Sequence, residues 1–427
     1  MIGWNEEGMF TMDCRMTRGI YLRANGEINC YCSTGEQITV AQLPLDHLDF
    51  NFVDDFYYRG NFQHIRDCMN DHKLPFPVYC LKCNYLNPFG QFEREKVRTE
   101  IEWFHIEAMS ACNLKCPFCV HGIPAEKRSF IRKGPSKLPV PLYNKVLQDI
   151  ADAGLRLKWM YFSGRGEPGL HPQVWDMVKT AKTLFDTNFL VNTAGNIPYD
   201  DKIVDSGLDK IKIAFESLDQ ETYSRYRVGG HVEIPLELTR KIADRKTRVR
   251  SKTPEIIWQY VLFNFNDSDE ELINYQVKAL EYGVDRLRVI HTWTKNFSTR
   301  KPDDFPRIFP NIEFIDCYER GYGIPLNVLQ TELDNALQTN NIRHYISLIA
   351  RIFHWLEWDT ENRDEYDHFA TLSLCDDEIF KRRNDGNMVE GYKSILKRCL
   401  LELSNAYRQN GFAGESQRYL KFAEEIH

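Results

Sequence analysis

The chain has 427 residues, of which 43% are hydrophobic and 27% are charged, and its formal net charge is −7. This composition is typical of a globular protein with enough apolar residues for a large core. The acidic balance argues against a protein that binds nucleic acid or an anionic membrane. No apolar run approaches the ~20 residues of a membrane span, and the acidic first ten residues are unlike a signal peptide. We therefore expect a cytoplasmic protein that binds neither nucleic acid nor membrane.

Residues 1–95 form the first predicted unit, which is rich in aromatic residues, Asn and Cys. Its short extended runs, GIYLR and EINCYC, flank the turn signal Asn25-Gly26. Six of the twelve cysteines of the chain lie in this segment. In a reducing compartment, clustered cysteines are metal ligands or redox groups more often than disulfides. The segment is a poor candidate for a core of its own, so we expect its cysteines to hold it together.

Residues 96–325 alternate strand-like and helical stretches, which predicts an α/β unit. Six β-α repeats imply a parallel sheet with right-handed crossovers, and hence a partial (β/α)6 TIM-like barrel. Functional groups are then expected on the loops that follow the carboxyl ends of the strands. The predicted strands are 101–108, 157–164, 188–193, 209–215, 255–263 and 285–291. The predicted helices between them are 141–153, 172–185, 200–206, 219–228, 233–248 and 268–282.

Residues 326–427 show helical periodicity without strand signals, so we expect an all-α C-terminal appendage. Its predicted helices are 326–337, 341–358, 388–408 and 412–426. The last two, joined near Gly411, resemble one tetratricopeptide hairpin. A single hairpin is too short to build a solenoid core, which needs about three repeats.

Three cysteines follow the first predicted strand in the segment SACNLKCPFCVHG. Cys112, Cys116 and Cys119, spaced Cys-x3-Cys-x2-Cys on one loop, can bind three corners of a 4Fe–4S cubane and leave the fourth iron open. The alternative is a zinc knuckle completed by His121. Structural zinc sites usually pair two Cys-x2-Cys knuckles, which favours the cluster.

The segment CNLKCPFC resembles the signature of the radical S-adenosylmethionine (SAM) superfamily. In that family, the aromatic residue before the last cysteine flanks the adenine, a role that the resemblance assigns to Phe118. The second strand ends in FSGRGEPGLHP, which is similar to the Gly-Gly-Glu element of the family. The resemblance implies that Gly164, Gly166 and Glu167 face the SAM ammonium group. Pro168 would fix the turn.

Two further segments are similar to the family but depart from its pattern. NTAGN (192–196) has Ala194 where the third strand of the family usually ends in Thr-Asn-Gly. IAFESLDQETYSRYR (213–227) has Ala214 and Glu216 in place of the usual Ser and Asp. The family Ser commonly contacts the SAM carboxylate or ribose. We therefore expect that contact to be lost or moved to Ser217 or Glu216.

The N-terminal cysteines resemble a SPASM auxiliary-cluster module, although such a module normally follows the barrel and has seven cysteines. Cys14, Cys30, Cys80 and Cys83 match its pattern best, with Cys32 as an alternate ligand. The resemblance implies a second, auxiliary 4Fe–4S cluster. The alternative is a structural zinc site with four cysteine ligands.

Two residues on each of the last two predicted strands are candidates for the barrel interior. Either Gln259 or Tyr260 can face inward on the fifth strand, and either Arg288 or His291 on the sixth, because side chains alternate along a strand.

Together these features predict an enzyme that binds a 4Fe–4S cluster and SAM and abstracts hydrogen from a substrate. The resemblance to SPASM proteins implies a peptide or protein substrate, modified by crosslinking, epimerisation or oxidation. It also implies an electron donor such as flavodoxin or ferredoxin. One alternative is a radical SAM dehydrogenase or epimerase that acts on a sugar or amino-sugar. Another is a non-catalytic iron–sulfur or zinc scaffold.

Overall fold

The computed structural model describes residues 12–30, 38–71, 73–81, 83, 86–90, 92–117, 119–122, 134–291, 298, 300, 302–315, 326–339, 343–349, 351–352 and 386–426. Within these ranges, no helix is both long and apolar enough to cross a membrane.

A ten-stranded sheet forms the centre of the fold. Its order is β12-β11-β10-β9-β8-β7-β6-β2-β3-β4, and the strands from β12 to β2 are parallel. Its strands are β2 (Gly19–Leu22), β3 (Glu27–Asn29), β4 (Thr39–Gln42), β6 (Glu100–Ile106), β7 (Arg156–Phe162), β8 (Asn188–Thr193), β9 (Lys210–Ala214), β10 (Glu255–Leu262), β11 (Arg286–His291) and β12 (Ile312–Ile315). A separate two-stranded sheet pairs β1 (Asp13–Cys14) with β5 (Leu86–Asn87).

Helices connect the parallel strands, as the sequence predicts. They are α1 (Gly60–Asn70), α2 (Pro77–Cys80), α3 (Arg94–Val97), α4 (Val140–Asp152), α5 (Val174–Leu184), α6 (Lys202–Asp205), α7 (Gln220–Tyr226), α8 (Glu233–Val249) and α9 (Asp269–Glu281). The C-terminal helices are α10 (Leu326–Thr339), α11 (Gly386–Gln409) and α12 (Ala413–Glu424). Residues 343–349 and 351–352 are also helical. The predicted fold class, an α/β partial barrel with a helical C-terminal region, is confirmed.

Alternation along each strand gives the sheet two different faces. One face is apolar and packs against the helices, as Phe162 does against Tyr143 of α4 and Trp258 against Tyr275 of α9. The opposite face carries polar side chains, including His105 and Lys212. The main hydrophobic core therefore lies between sheet and helices, and the polar face is left for a cavity.

The N-terminal strands extend this sheet beyond the predicted barrel. β2 pairs in parallel with β6, with Tyr21 opposite His105, and β3 and β4 follow as antiparallel strands. The turn between β2 and β3 contains Gly26 at φ +79°, as the Asn25-Gly26 signal predicts. The extended runs of residues 1–95 therefore bury their apolar side chains in the main core. The boundaries of the three predicted units stay predictions.

A second hydrophobic core joins the two ends of the chain. Met69 and Leu81 from the N-terminal segment pack in it with Leu333, Leu396 and Tyr407 of the C-terminal helices. α11 and α12 form an antiparallel hairpin, in which the Ser404 hydroxyl donates to the Ser416 carbonyl at 2.7 Å. The C-terminal helices therefore cover the cysteine-containing N-terminal segment.

Truncation of Trp258 tests the main core. Its ring is fully buried, and its Nε1 donates to Thr239 Oγ1 at 2.9 Å. We expect Trp258→Ala to lower the free energy of unfolding by about 3–5 kcal/mol, because it removes a large buried ring and leaves a cavity. Urea denaturation measures this loss. Leu280→Ala on α9, where the side chain is 49% exposed, is the control and should change stability by less than about 0.5 kcal/mol. Equal losses in the two variants would contradict the packing described.

Candidate active site

A cavity of about 560 Å³ opens at the carboxyl ends of the parallel strands. Its wall is formed by the loops after β6, β7 and β8 and by side chains on the polar face of the sheet. From the loops come Cys112, Cys116, Cys119, Gly164, Gly166, Glu167 and Ala194, and from the sheet come Tyr21, His105, Asn192, Lys212 and Gln259. The cavity therefore lies where the barrel prediction places functional groups.

The cysteine loop is held in shape by local backbone hydrogen bonds. The Cys119 N–H donates to the Cys116 carbonyl at 3.0 Å, and the Gly122 N–H to the Cys119 carbonyl at 2.8 Å. A Cβ at Gly122 would lie 2.2 Å from the Cys116 oxygen, so this turn requires glycine. The Leu114 N–H donates to Cys112 Sγ at 3.4 Å. Backbone donors to sulfur of this kind stabilise thiolate ligands.

Three thiols on one cavity wall fit a cluster by the chemistry of the donor set. Burial raises the pKa of the Cys112 thiol to about 11, with a smaller contribution from Glu167 and the neighbouring thiols. Cys112 is therefore a neutral thiol at neutral pH, and metal binding there has to release its proton. In the described part of the chain, no three His, Cys, Asp or Glu side chains already converge on a single metal position. Phe118 lies outside the described residues.

The glycine-rich turn after β7 packs directly on the start of the cysteine loop. Gly164 has φ +136°, and a Cβ at Gly166 would lie 2.0 Å from the Met109 carbonyl oxygen. The Glu167 N–H donates to the Ala111 carbonyl at 2.9 Å. The two segments that resemble family motifs therefore meet through their backbones, which only glycine permits at this distance.

Glu167 lines the cavity and also ties two strand ends together. Its side chain is buried, and its carboxylate accepts the Ala194 N–H at 2.8 Å and the Gly169 N–H at 3.1 Å. Burial raises the pKa of this carboxyl, and these backbone donors oppose the rise. Pro168 is buried at the start of a 3-10 turn and does not line the cavity.

Glu216 pairs with Arg227, a residue to which the sequence analysis gave no role. Arg227 Nε donates to Glu216 Oε2 at 2.6 Å, and Arg227 Nη1 lies 3.7 Å from Cys116 Sγ. Burial raises the pKa of the Glu216 carboxyl, and the guanidinium opposes this. Arg227 lines the cavity and places a positive charge beside the cysteine loop. Its only sequence signal is its position at the end of the segment TYSRYR.

Ser217 does not line the cavity. It is fully buried and its Oγ accepts the Asp219 N–H at 3.0 Å. It borders a separate surface depression, together with Asp219 and Ser268.

The structure distinguishes between the paired candidates on the last strands. Gln259 lines the cavity, whereas the Tyr260 hydroxyl donates to the Asn266 carbonyl at 2.6 Å on the helical side. Gln259 of β10 pairs with Arg288 of β11, so both side chains lie on the same face of the sheet. His291 lies on the opposite face, because side chains alternate between the two faces along a strand.

Two of the N-terminal cysteines, Cys14 and Cys80, pack on the core that the C-terminal helices form. Cys14 pairs with Leu86 across β1 and β5, and the Cys83 N–H donates to the Cys80 carbonyl at 3.1 Å. Cys14 therefore lies near Cys80 and Cys83, and both Cys14 and Cys30 also pack on the main core. Cys32 lies outside the described residues.

Cys14 is partly buried and packs against both hydrophobic cores. Burial raises the pKa of its thiol to about 12, and Asp13 adds to the rise. The nearby backbone N–H groups of Met16 and Thr17 oppose the rise. The Leu114 N–H has the same effect on the pKa of the Cys112 thiol.

Comparison with known proteins matches this region to a family. Residues 106–275 match the family model described as the radical SAM superfamily. The chain is 28% identical over 128 residues to a GTP 3′,8-cyclase of Chlorobaculum tepidum, which covers 29% of this chain and 36% of the relative. It is 26% identical over 197 residues to the tungsten-containing aldehyde ferredoxin oxidoreductase cofactor-modifying protein of Pyrococcus furiosus, with 44% and 51% covered. The chain thus spans between about a third and a half of the length of these curated relatives.

Two solved structures are similar over a larger share of the chain. SuiB of Streptococcus suis, bound to S-adenosylmethionine, aligns at 13% identity with a TM-score of 0.36, covering 71% of this chain and 72% of SuiB. Native anSMEcpe with bound AdoMet aligns at 13% identity with a TM-score of 0.35, covering 56% of this chain and 62% of anSMEcpe.

The pair between Arg227 and Glu216 gives a direct test of the cavity. We expect Arg227→Met to lower the free energy of unfolding by about 3–5 kcal/mol, because it leaves a buried carboxylate without its partner. The double variant Arg227→Met/Glu216→Leu should recover most of this loss, since both charges are then absent. Urea denaturation of the metal-free protein measures both. The same loss in the single and double variants would show that the two side chains do not act as a pair.

Proposed function

Because residues 106–275 form a radical SAM domain, we propose that the protein cleaves S-adenosylmethionine reductively to a 5′-deoxyadenosyl radical, which abstracts a hydrogen atom from a substrate. The observation that carries this proposal is the presence of three thiols, from Cys112, Cys116 and Cys119, on the wall of one cavity. A 4Fe–4S cluster bound there supplies an open iron for the amino and carboxylate groups of SAM and the electron that breaks its S–C5′ bond.

The residues of the chain prepare this site in three ways. The guanidinium of Arg227, near Cys116 Sγ, favours the thiolate form that a metal ligand requires. Gly164 and Gly166 have no side chains, so the turn after β7 packs closely on the cysteine loop. The cavity beside this turn is therefore free for SAM. Glu167 holds the ends of β7 and β8 together, so both loops keep their position around the cavity. An electron donor such as flavodoxin or ferredoxin completes the proposal.

For the substrate, we propose a peptide or protein. The two curated relatives are named for a reaction on GTP and for modifying a cofactor, and less than two thirds of either is covered. The substrate class therefore depends on the N-terminal cysteines, which resemble an auxiliary-cluster module of peptide-modifying proteins. Crosslinking, epimerisation and oxidation all begin with the same hydrogen abstraction.

We further propose that Cys14, Cys80 and Cys83, with Cys30 or Cys32, hold an auxiliary 4Fe–4S cluster. The pairing of Cys14 with Leu86, whose N–H donates to the Cys83 carbonyl at 3.4 Å, supports this ligand set, as does the packing of Cys14 and Cys80 on the second core. A closed four-cysteine site favours electron transfer over substrate binding. Such a cluster can accept the electron that is released when a substrate radical is oxidised.

Removal of one cysteine of the triplet tests the radical chemistry. After anaerobic reconstitution with SAM and a strong reductant, the native protein should form 5′-deoxyadenosine. Cys116→Ala should reduce this to the background without enzyme, because the cluster then lacks one of its three ligands. Cys399→Ala, in the second core and outside both cysteine sets, is the control and should keep the native rate. A native protein that forms no 5′-deoxyadenosine would support a non-catalytic scaffold instead.

Metal analysis of a variant without the triplet tests the auxiliary cluster. We expect the protein with Cys112→Ala, Cys116→Ala and Cys119→Ala to retain about four iron and four sulfide per chain, the composition of one 4Fe–4S cluster. Adding Cys14→Ser should remove this iron. Comparing Cys30→Ser with Cys32→Ser in the same background identifies the fourth ligand. Zinc in place of iron in the triple variant would overturn the auxiliary-cluster proposal.

A further inference from the structure

Lys212 is a charged side chain on the cavity wall for which the structure records no partner among the described residues. It lies on the polar face of β9 and lines the cavity, beneath the cysteine loop. Two residues earlier on the same face, Lys210 Nζ lies 3.1 Å from Glu255 Oε2. Arg286 on β11 also pairs with Glu255, at 2.8 Å. Lys210 and Arg286, at the amino ends of their strands, thus both form ion pairs with Glu255. Lys212 is the next cationic residue along β9, closer to the cavity.

The charged groups around Lys212 do not neutralise it. Arg288 and Glu313 face it from β11 and β12, with Arg288 Nε 3.8 Å from Glu313 Oε2, so the one carboxylate is already shared with an arginine. His105 faces it from β6, and burial lowers the pKa of this imidazole to about 3, so the ring is neutral. Burial also lowers the pKa of Lys212 to about 7, with a smaller contribution from Arg288. An ammonium group in such a place is stabilised most by an anion.

Two amide side chains beside Lys212 also have unused hydrogen-bonding capacity. Asn192 lies opposite Lys212 across β8 and β9, and Gln259 lies on the neighbouring strand β10. Asn192 Oδ1 and Gln259 Oε1 are buried and make no hydrogen bond within the described residues. An amide group supplies two N–H donors as well as an oxygen, and the two ends are interchangeable by rotation. One cation and two amides on one wall form a set of donors suited to oxygen atoms of an anion.

We propose that Lys212, Asn192 and Gln259 bind an anionic oxygen group of the substrate, a carboxylate or a phosphate. This inference depends on the proposed function, since the group belongs to the molecule from which hydrogen is abstracted. Lys212 precedes Ala214, at the end of β9, by two residues, which places it roughly 7 Å deeper along the strand. An anion held there anchors one end of the substrate and directs the remainder towards the cysteine loop. Lys212 is therefore a binding residue that sets substrate orientation.

Binding of simple anions to the reconstituted protein with SAM tests this subsite. Calorimetric titration with succinate and, separately, inorganic phosphate supplies a carboxylate and a phosphate probe. We expect one of them to bind the native protein and to bind Lys212→Gln at least about tenfold more weakly. Lys212→Arg, which keeps the charge, should bind within about threefold of the native protein. Lys158→Gln removes an exposed lysine of β7 and should change nothing.

The outcome separates this inference from the proposed function. Formation of 5′-deoxyadenosine by the native protein in the absence of substrate reports on the proposed function alone, because SAM cleavage at the cysteine triplet requires no anion in this subsite. The probe that binds identifies the anion as carboxylate or phosphate. Equal affinity of Lys212→Gln and the native protein, or no binding of either probe, would overturn the subsite even if SAM is cleaved. Urea denaturation controls for folding. Lys212 is partly buried and has no ion pair recorded among the described residues, so its replacement should not lower stability.

Discussion

Parallel pairing of the strands in register is the constraint on which the cavity depends. It brings the carboxyl ends of β6, β7 and β8 to one edge. There the Glu167 N–H donates to the Ala111 carbonyl at the start of the cysteine loop, and the Glu167 carboxylate accepts the Ala194 N–H. The pleat then assigns alternate residues to opposite faces. Apolar residues such as Phe162 and Trp258 pack on the helices. The polar residues that alternate with them along the strands point to the opposite face and line the cavity.

Charge is arranged in layers along that polar face. At the amino ends of the strands, Lys210 and Arg286 share Glu255, and near the carboxyl ends Arg227 pairs with Glu216. These groups are matched within the protein and stabilise it without a ligand. Lys212 lies between the two layers. The anion subsite proposed above thus lies at one depth of the cavity, between two layers of paired charges, and a group held at one depth fixes the orientation of a bound molecule.

The fold was predictable from the sequence because its signals are local. Alternating strand and helix periodicity gave all six central strands, and the cysteine triplet and glycine-rich segment identified the loops around the cavity. Arg227 and Lys212 were missed for the opposite reason. Their importance comes from Glu216, Cys116 and Arg288, which meet them only after the chain has folded. Likewise, nothing in residues 19–22 indicates that β2 pairs with β6, because that contact depends on residues about eighty positions later.

The second core has a consequence for the order of events during synthesis. Met12, Met69, Leu74 and Leu81 bury their side chains against helices that begin at Leu326 and continue to Ala423. A ribosome that adds about 5–20 residues per second needs roughly 20–85 s for the whole chain, and the N-terminal cysteines emerge in the first part of this time. Until these C-terminal helices have left the exit tunnel, Cys80 lacks the apolar cover that the second core gives it. Assembly of the auxiliary cluster proposed above is therefore expected after the C-terminal helices have been made, although its cysteines are made first.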